Sequence, residues 1–357
     1  MINLVTHNYR RVYEGVNYRL RTAAGGRLST LCRPTSIALL MTERCNARCI
    51  HCDIWKNRGR EDRPTSDQWK TLLSDLRRWL GPVHVVMTGG EALLNPDTVD
   101  LVAHGSSKGL FIEVLSHGYW QDQSMMERLA LARPGRITIS LDGLGPAHDR
   151  VRGRESFGAT AETSILTLRK VRREQSLPLK IRLKTVIMQQ NLDDVCDVAW
   201  FAKRNGLEVF YQPIEQTYNT AEDPHWFQHC ENWPTDTARA VAVVNELLNL
   251  KQQGLPIKNT INQLEVMIDY FTNPHQLRLA VRSHTAHEAR LVCAAMTSLQ
   301  IQANGDVRVC LARGPVGNIR SQPIREIWNS RPRWWLGNCC LPERNLSAPG
   351  GVATGTN

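Results

Sequence analysis

Three cysteines within eight residues carry the strongest chemical signal in this sequence. Cys45, Cys49 and Cys52 follow the spacing C-x3-C-x2-C. Three thiolates on one short loop can ligate three irons of a cubane cluster and leave the fourth iron open to another ligand. A structural zinc site is the alternative, but it needs four protein ligands, usually as two C-x2-C pairs, and no second pair lies nearby. His51 and Asp53 could complete a zinc shell only if neighbours in the chain both reached one ion, which is rare, so the spacing favours an iron–sulfur cluster.

A second group of cysteines lies in the last fifth of the chain. Its members are Cys293, Cys310, Cys339 and Cys340. Clustered cysteines in a reducing compartment more often bind metal than form disulfides. Cys32, Cys196 and Cys230 stand apart from both groups, and we expect each to be a small buried or half-buried residue.

The N-terminus and the hydropathy of the chain predict a cytoplasmic protein. The opening residues MINLVTHNYRRVYEG lack the apolar core of a secretory signal. No apolar run approaches the roughly 18 residues that span a bilayer, and the mean hydropathy is −0.35. We therefore expect no membrane partner.

The basic charge of the chain raises the question of nucleic-acid binding. The net charge is +10 and the isoelectric point is near 9.3, but the basic residues are scattered. Arg169, Lys170, Arg172 and Arg173 have the spacing of a solvated helix face. No basic block alternates with aromatic residues, as a stacking groove requires. We therefore expect no nucleic-acid partner, whereas an anionic small molecule or an acidic peptide would suit the charge equally well.

Alternating strands and helices predict the elements that position these cysteines. Helix start signals, such as the capping box Thr65–Gln68, separate the apolar runs. Six strand–helix units indicate a parallel sheet covered by helices and are too few for a closed eight-stranded barrel. We therefore predict an α/β fold built on a partial (β/α)6 TIM-type barrel. The predicted strands are Ser36–Thr42, Val83–Thr88, Leu110–Ser116, Arg136–Leu141, Lys180–Met188 and Leu207–Pro213.

The pattern divides the chain into five parts. An N-terminal extension (1–35) precedes the barrel (36–215). Amphipathic helices over Thr237–Gln253 and Ile261–Phe271 predict a helical linker or lid at 216–290. A β-hairpin turning at Asn304-Gly305 predicts a small C-terminal β-hairpin/helix cluster-binding module at 291–345. The small, polar segment 346–357 predicts a disordered tail.

The first cysteine group and the end of the second strand together resemble the radical S-adenosylmethionine (radical SAM) superfamily. The cysteine loop directly follows the first strand, on the face where barrel folds build active sites. Some forty residues later, Thr88-Gly89-Gly90-Glu91 is similar to the GGE motif of that family. The resemblance implies that Gly89, Gly90 and Glu91 hold the methionine amino group of SAM. A carboxylate is the natural partner of an ammonium. A tight strand–helix turn that uses the two glycines without a ligand is the alternative.

The end of the fourth strand extends the resemblance. ISLDGLGPAHDRVRG is similar to a stretch that many family members carry. It implies that Ser140 contacts the ribose or carboxylate of SAM and that Arg152 contacts its carboxylate, with Asp142 shaping the turn. Turn capping by Ser140 and a surface ion pair for Arg152 are the alternatives. His51 lies where the family places a ring that faces adenine, and His117 departs from the family's Thr-Asn-Gly, so its role stays open.

The resemblance, which covers roughly residues 36–215, implies a defined chemistry. SAM would chelate the open iron of a [4Fe–4S] cluster, and one electron would break its sulfonium C–S bond. The products would be methionine and a 5′-deoxyadenosyl radical that abstracts hydrogen from a small-molecule or peptide substrate. The electron implies an external donor such as flavodoxin or ferredoxin. A non-catalytic iron–sulfur or zinc-binding redox sensor or scaffold is the alternative, but a sensor has no need of a SAM-binding shell.

The C-terminal cysteines resemble the SPASM or twitch extension of radical SAM enzymes. Cys293 and Cys310 flank the hairpin, and GN and EIW stretches precede Cys339 and Cys340. The resemblance implies one auxiliary [4Fe–4S] cluster, held by Cys293, Cys310 and at least one of the adjacent pair. Because relatives close with C-x2-C and further cysteines, the extension looks truncated. A small β module with incidental cysteines is the alternative.

The type of reaction is the least specified part of the prediction. Some 35 residues precede the first strand, so we expect no N-terminal leader-binding domain, although a separate protein could supply one. We expect the segment 216–290 to cover the substrate cavity. Its candidate proton or hydrogen donors are Tyr218, Asp223, His225, His229 and Cys230, each of which is more often a surface or packing residue.

Overall fold

Six parallel strands form the body of the protein. The computed structural model describes residues 2–22, 28–57, 62–217, 223, 225–274, 294–310 and 313–333. Neighbouring strands pair in the order β6-β5-β4-β3-β2-β1, always in parallel. The sheet is not closed, so the predicted open, partial barrel is confirmed. The strands are β1 (Ser36–Leu40), β2 (His84–Thr88), β3 (Phe111–Ser116), β4 (Arg136–Ser140), β5 (Lys180–Ile187) and β6 (Glu208–Pro213).

Helices connect the strands and cover the outer face of the sheet. The capping box predicted at Thr65 is present, because its side chain accepts from Gln68 N and Gln68 reaches back to the backbone of Thr65. The helices are α1 (Ile2–Thr22), α2 (Ser66–Leu80), α3 (Thr98–Ser107), α4 (Ser124–Leu131), α5 (Pro146–Arg152), α6 (Phe157–Glu174), α7 (Val195–Asn205), α8 (Thr237–Gln252) and α9 (Ile261–Thr272).

Alternation along the strands separates a helix-facing core from a barrel lumen. Ile112 of β3 lies against Gly105 of α3, so the next residue, Glu113, faces the lumen. The helix-facing residues are almost all buried aliphatics, including Ile137, Ile139 and Leu183. Burial of this apolar surface is the main stabilising contribution to the fold, and it leaves the inward positions open to polar residues.

The predicted C-terminal hairpin is present and extends the barrel sheet. Strand β7 (Ser298–Ile301) pairs in parallel with β1, and β8 (Asp306–Arg308) and β9 (Gly317–Asn318) follow in antiparallel order. One sheet of nine strands results. Helix α10 (Ile324–Ser330) packs behind it, where the Trp328 indole donates to the Cys32 carbonyl at 3.1 Å.

The N-terminal extension contains a helix that packs on the barrel. Tyr9 and Tyr13 of α1 donate to the carbonyls of Leu80 and Pro34, each at 2.7 Å. None of the helices in the described part of the chain is long and apolar enough to cross a bilayer. The tail predicted at 346–357 lies outside the described residues, and the five predicted boundaries stay predictions.

Candidate active site

The cysteine loop, residues 42–53, lies at the carboxyl end of β1 and packs against the end of β2. Gly90 N and Glu91 N donate to the carbonyls of Thr42 and Arg44, both at 2.8 Å. A Cβ at Gly89 would lie 2.2 Å from the Thr42 oxygen, and one at Gly90 would lie 2.3 Å from the Arg44 oxygen. Both glycines are therefore required for the close approach of this loop, a packing reason that the sequence interpretation lacked.

The end of α5 holds the other half of the cysteine loop. Arg48 N and Ile50 N donate to the carbonyls of Arg152 and Val151, both at 3.1 Å. Gly153 follows with φ 64°, and a Cβ there would lie 2.4 Å from the Arg48 oxygen. The loop is thus fixed by backbone hydrogen bonds from two elements that are far apart in the chain.

The three cysteines of the loop share a small buried cluster. Cys49 is buried, while Cys45 and Cys52 are half-buried. They pack around Ala47 and against an aromatic wall. In that wall Phe157 stacks on Tyr119 with ring centroids 4.6 Å apart. Within the described ranges, no three or more His, Cys, Asp or Glu side chains are arranged to hold a metal ion.

Burial and a neighbouring guanidinium act in opposite directions on the ionisation of these thiols. Burial, reinforced by the neighbouring thiols, raises the pKa of Cys45 to about 12 and raises that of Cys52. Iron ligation requires thiolates, so cluster binding would release these protons and offset the cost of burying the thiolates. Arg152 Nη1 donates to Cys49 Sγ at 3.3 Å, and such a bond stabilises a thiolate. Three thiols on one loop, one of them bonded to a cation, therefore have the donor chemistry of an iron–sulfur site, although their side chains are not arranged around a metal ion in the structure.

Arg152 is anchored by Asp142 inside the protein. Arg152 Nη2 lies 2.6 Å from Asp142 Oδ2, and the two side chains are 8% and 0% exposed. Asp142 also accepts from Val186 N at 2.9 Å, so it joins the end of β4 to β5. The alternative of a surface ion pair for Arg152 is therefore wrong. Both terminal nitrogens of Arg152 have protein partners, its Nε is buried without one, and its contact with SAM stays a prediction.

Glu91 lies buried at the end of β2. Its Oε1 accepts from Leu93 N at 3.2 Å, and its Oε2 accepts from His117 N at 2.8 Å. Burial raises the pKa of Glu91 to about 7 in spite of these bonds. A cation brought to this carboxyl group would favour its ionised form.

His117, whose role the sequence left open, connects Glu91 to the cysteine loop. Its Nδ1 accepts from Tyr119 N at 2.9 Å, so Nε2 carries the ring proton. That nitrogen lies 2.6 Å from Asn46 Oδ1 and 3.3 Å from Glu91 Oε2. Burial lowers the pKa of His117 to about 3, so the ring is neutral. Its position directly after the third strand was the only sequence signal for this role.

His51 and Ser140 are the remaining residues that the sequence predicts to contact SAM. The Nδ1 atom of His51 is buried without a hydrogen-bond partner, and burial lowers the pKa of the ring to about 4. A neutral ring with an unpartnered nitrogen is able to bond a ligand. Ser140 is half-buried at the end of β4, on its lumen face, opposite Lys184 of β5.

Residues 225–233 contact the cysteine loop from above the barrel mouth. Asn232 Nδ2 donates to the Ile50 carbonyl at 3.0 Å, and Gln189 N donates to the Asn232 carbonyl at 3.0 Å. These bonds place Asn232 beside the cysteine loop, and the predicted cover over the substrate cavity stays a prediction. Of the candidate donors, Asp223 accepts from His225 N at 2.8 Å, and Cys230 packs half-buried on the core. His229 is exposed, and Tyr218 lies outside the described residues.

Among the predicted auxiliary-cluster cysteines, the described residues include Cys310. It follows β8 and is half-buried against the core. Cys293, Cys339 and Cys340 lie outside the described residues. The ligands of the auxiliary cluster therefore stay a prediction.

Two family models match the chain, one around the first cysteine group and one around Cys293 and Cys310 of the second group. A model of the radical SAM superfamily matches residues 39–199. A model of an iron–sulfur cluster-binding domain, SPASM, matches residues 293–337. The first match contains the cysteine loop and Glu91, and the second contains the hairpin.

Curated relatives include enzymes that act on different classes of molecule. The chain is 25% identical to the AdoMet-dependent heme synthase of Methanosarcina barkeri over 317 residues, which cover 83% of this chain and 82% of that protein. It is 30% identical to PqqA peptide cyclase of Bradyrhizobium diazoefficiens over 167 residues, which cover 46% of this chain and 42% of that protein. It thus spans most of the heme synthase but less than half of this cyclase.

Solved structures with the same fold include SuiB of Streptococcus suis. SuiB bound to S-adenosylmethionine matches with a TM-score of 0.61 at 16% identity, over 84% of this chain and 66% of SuiB. SuiB bound to its precursor peptide SuiA matches with a TM-score of 0.63 at 15% identity, over 86% of this chain and 67% of SuiB. At these identities the likeness concerns the fold.

Proposed function

This chain is a radical SAM enzyme that carries a SPASM domain, and we propose that it cleaves SAM reductively and abstracts hydrogen from a small-molecule or peptide substrate. The observation that carries the proposal is the cysteine loop, fixed between the end of β2 and the end of α5 with three thiols in one cluster. A [4Fe–4S] cluster bound there would supply the electron that breaks the sulfonium C–S bond. Membership in a family of enzymes argues against the non-catalytic sensor.

The residues around the loop would bind SAM by charge and by close approach. Glu91 would take the methionine ammonium, which would stabilise the ionised form of a carboxyl group whose pKa burial has raised to about 7. The remaining proposed contacts are the backbone at Gly89 and Gly90, the Ser140 hydroxyl, the Arg152 guanidinium and the His51 ring.

The substrate class is proposed from the relatives. The chain aligns over most of its length both with a heme synthase and with a peptide cyclase, PqqA peptide cyclase of Xanthomonas campestris. We therefore keep a small molecule and a peptide as substrates. An external flavodoxin or ferredoxin would deliver the electron.

Removal of the cluster ligands tests the proposal. We expect anaerobically reconstituted protein to form 5′-deoxyadenosine from SAM and dithionite, and the Cys45→Ala/Cys49→Ala/Cys52→Ala variant to form none. Cys196→Ala, a half-buried cysteine of α7 outside both groups, is the matched control and should keep the activity. Continued 5′-deoxyadenosine formation by the triple variant would contradict the assignment.

Iron counting tests the auxiliary cluster in the same samples. Since a cubane holds four irons, two clusters predict about eight irons per chain, and the triple variant should retain about four. If the triple variant were folded but its iron content were at background, the protein would have no auxiliary cluster. Residues 291–345 would then serve as a substrate-binding cap.

A further inference from the structure

The deep lumen of the barrel contains charged side chains that are paired. Glu113 Oε2 lies 2.7 Å from His84 Nε2 and 3.0 Å from Arg136 Nη1, and Oε1 accepts from Thr138 Oγ1 at 2.6 Å. Burial alone would raise the pKa of Glu113, but these partners outweigh it and lower the pKa to about 2. The carboxylate is therefore ionised and matched by its neighbours.

Charged side chains are also paired on the neighbouring strands β5 and β6. Arg182 of β5 donates to Glu208 of β6 at 2.8 Å, and Lys258 lies 3.6 Å from the second oxygen of that carboxylate. The register places Arg182 directly opposite Glu208. These ion pairs connect the strands in the amino-terminal half of the lumen. Arg182, Glu208 and Lys258 each have a partner of opposite charge.

Lys184 differs from these residues. It is half-buried two residues beyond Arg182, on the same lumen face of β5, and its register partner on β4 is Ser140. No hydrogen bond or ion pair joins its ammonium to another residue of the described part of the chain. Burial lowers the pKa of Lys184, although the charges of Glu215 and Asp142 oppose that effect.

A half-buried ammonium without a partner is costly, and proteins rarely keep one unless something pairs with it. An anion bound at the barrel mouth would remove that cost. The deeper cations, Arg136 and Arg182, already have carboxylate partners, so Lys184 is the lumen cation open to a ligand on the described strands β4 and β5.

We propose that Lys184 binds a carboxylate of the substrate and so restricts the substrates to anionic molecules. The inference rests on the proposed function. The cysteine loop follows β1 and Glu91 follows β2, whereas Lys184 lies on β5, beyond Ser140 of β4. Lys184 is the register partner of Ser140 and lies one strand farther from the cysteine loop and Glu91. A substrate held beside SAM that is anchored at Glu91 and Ser140 would therefore come within reach of Lys184.

The test measures reductive methylation of Lys184 in the reconstituted holoenzyme with saturating SAM, using isotopic formaldehyde, cyanoborohydride as the hydride donor, and mass spectrometry. Only the neutral amine reacts, and a bound carboxylate that raises its pKa by about one unit slows labelling about tenfold. We expect glutarate to slow labelling of Lys184 and the uncharged glutaramide to have no effect. Lys180, exposed at the start of the same strand, is the internal control and should label equally in both.

Two outcomes would overturn the proposal. Equal labelling rates in glutarate and glutaramide would show that Lys184 binds no carboxylate. Slower labelling on addition of SAM alone would assign the ammonium to the carboxylate of SAM instead of the substrate. In a second arm, the Lys184→Met variant should bind SAM with the affinity of the parent protein. A tenfold loss of SAM affinity in that variant would indicate that Lys184 binds SAM instead of the substrate. Formation of 5′-deoxyadenosine in the same preparation reports separately on the proposed function.

Discussion

At the residue scale, His117 holds two parts of the site together. Its ring bonds Asn46, the neighbour of Cys45, and its backbone N–H bonds Glu91. His117→Phe would keep a buried ring and the backbone bond, but it would remove the bonds to Asn46 Oδ1 and from Tyr119 N. Because two bonds of about 0.5–1.5 kcal/mol each are lost, we expect SAM binding to weaken by about tenfold, measured by equilibrium binding.

The matched control at this scale is Tyr119→Phe. That variant keeps the stacking on Phe157 and loses a hydroxyl whose hydrogen bond, from Gln121, is exposed. SAM affinity should therefore stay close to that of the parent protein. Equal affinities for His117→Phe and Tyr119→Phe would show that the His117 ring does not position the site.

At the element scale, the end of α5 controls the position of the cysteine loop. Gly153 ends α5 at φ 64° and Gly206 ends α7 at φ 63°. An alanine at either position costs about 1–2 kcal/mol of backbone strain. At Gly153 the new Cβ would also meet the Arg48 oxygen at 2.4 Å, whereas at Gly206 the nearest atom is 3.9 Å away.

We therefore expect Gly153→Ala and Gly206→Ala to differ in function more than in stability. Displacement of the cysteine loop by about 1 Å should lower 5′-deoxyadenosine formation about a hundredfold in Gly153→Ala. Gly206→Ala should retain the activity and lower only the free energy of unfolding, measured in urea. The same activity in both variants would mean that the loop tolerates the displacement.

At the scale of the whole molecule, the hairpin and the barrel form one sheet. Strand β7 pairs with β1 from Ser36 to Leu39, and Ile301 at its end is fully buried. Ile301→Ala should destabilise the protein by about 2–5 kcal/mol. Because the strands share hydrogen bonds, native-state hydrogen exchange should show this loss in the amides of β1 as well as those of β7.

Gln300→Ala is the control, since Gln300 is half-buried in the same strand and should change little. If Ile301→Ala increased exchange in β7 but left β1 unchanged, the hairpin would unfold as a separate unit. In that case the SPASM hairpin would be an appended domain.

The sequence by itself determined the elements of the barrel and the family, and it predicted the chemistry. Periodicity placed each of the six strands to within about two residues of its observed ends, because alternation and caps are local properties of the chain. Spacing predicted Cys45, Cys49 and Cys52 as a ligand group, and the structure places the three thiols in one cluster on the loop after β1. Local spacing is sufficient for this group because one short loop carries all three thiols.

Only the tertiary structure decided which distant residues meet. Arg152 bonds Cys49 across 103 positions of the chain, and β7 joins β1 from the far end of the sequence. The same holds for the His117 bond to Asn46 and for the open lumen position of Lys184. These contacts depend on how the strands are ordered in the sheet, and that order brings together residues that are far apart in the chain. Burial then sets the charges, since the raised pKa of Glu91 and the pairing of Arg152 arise from the surroundings that the folded sheet creates.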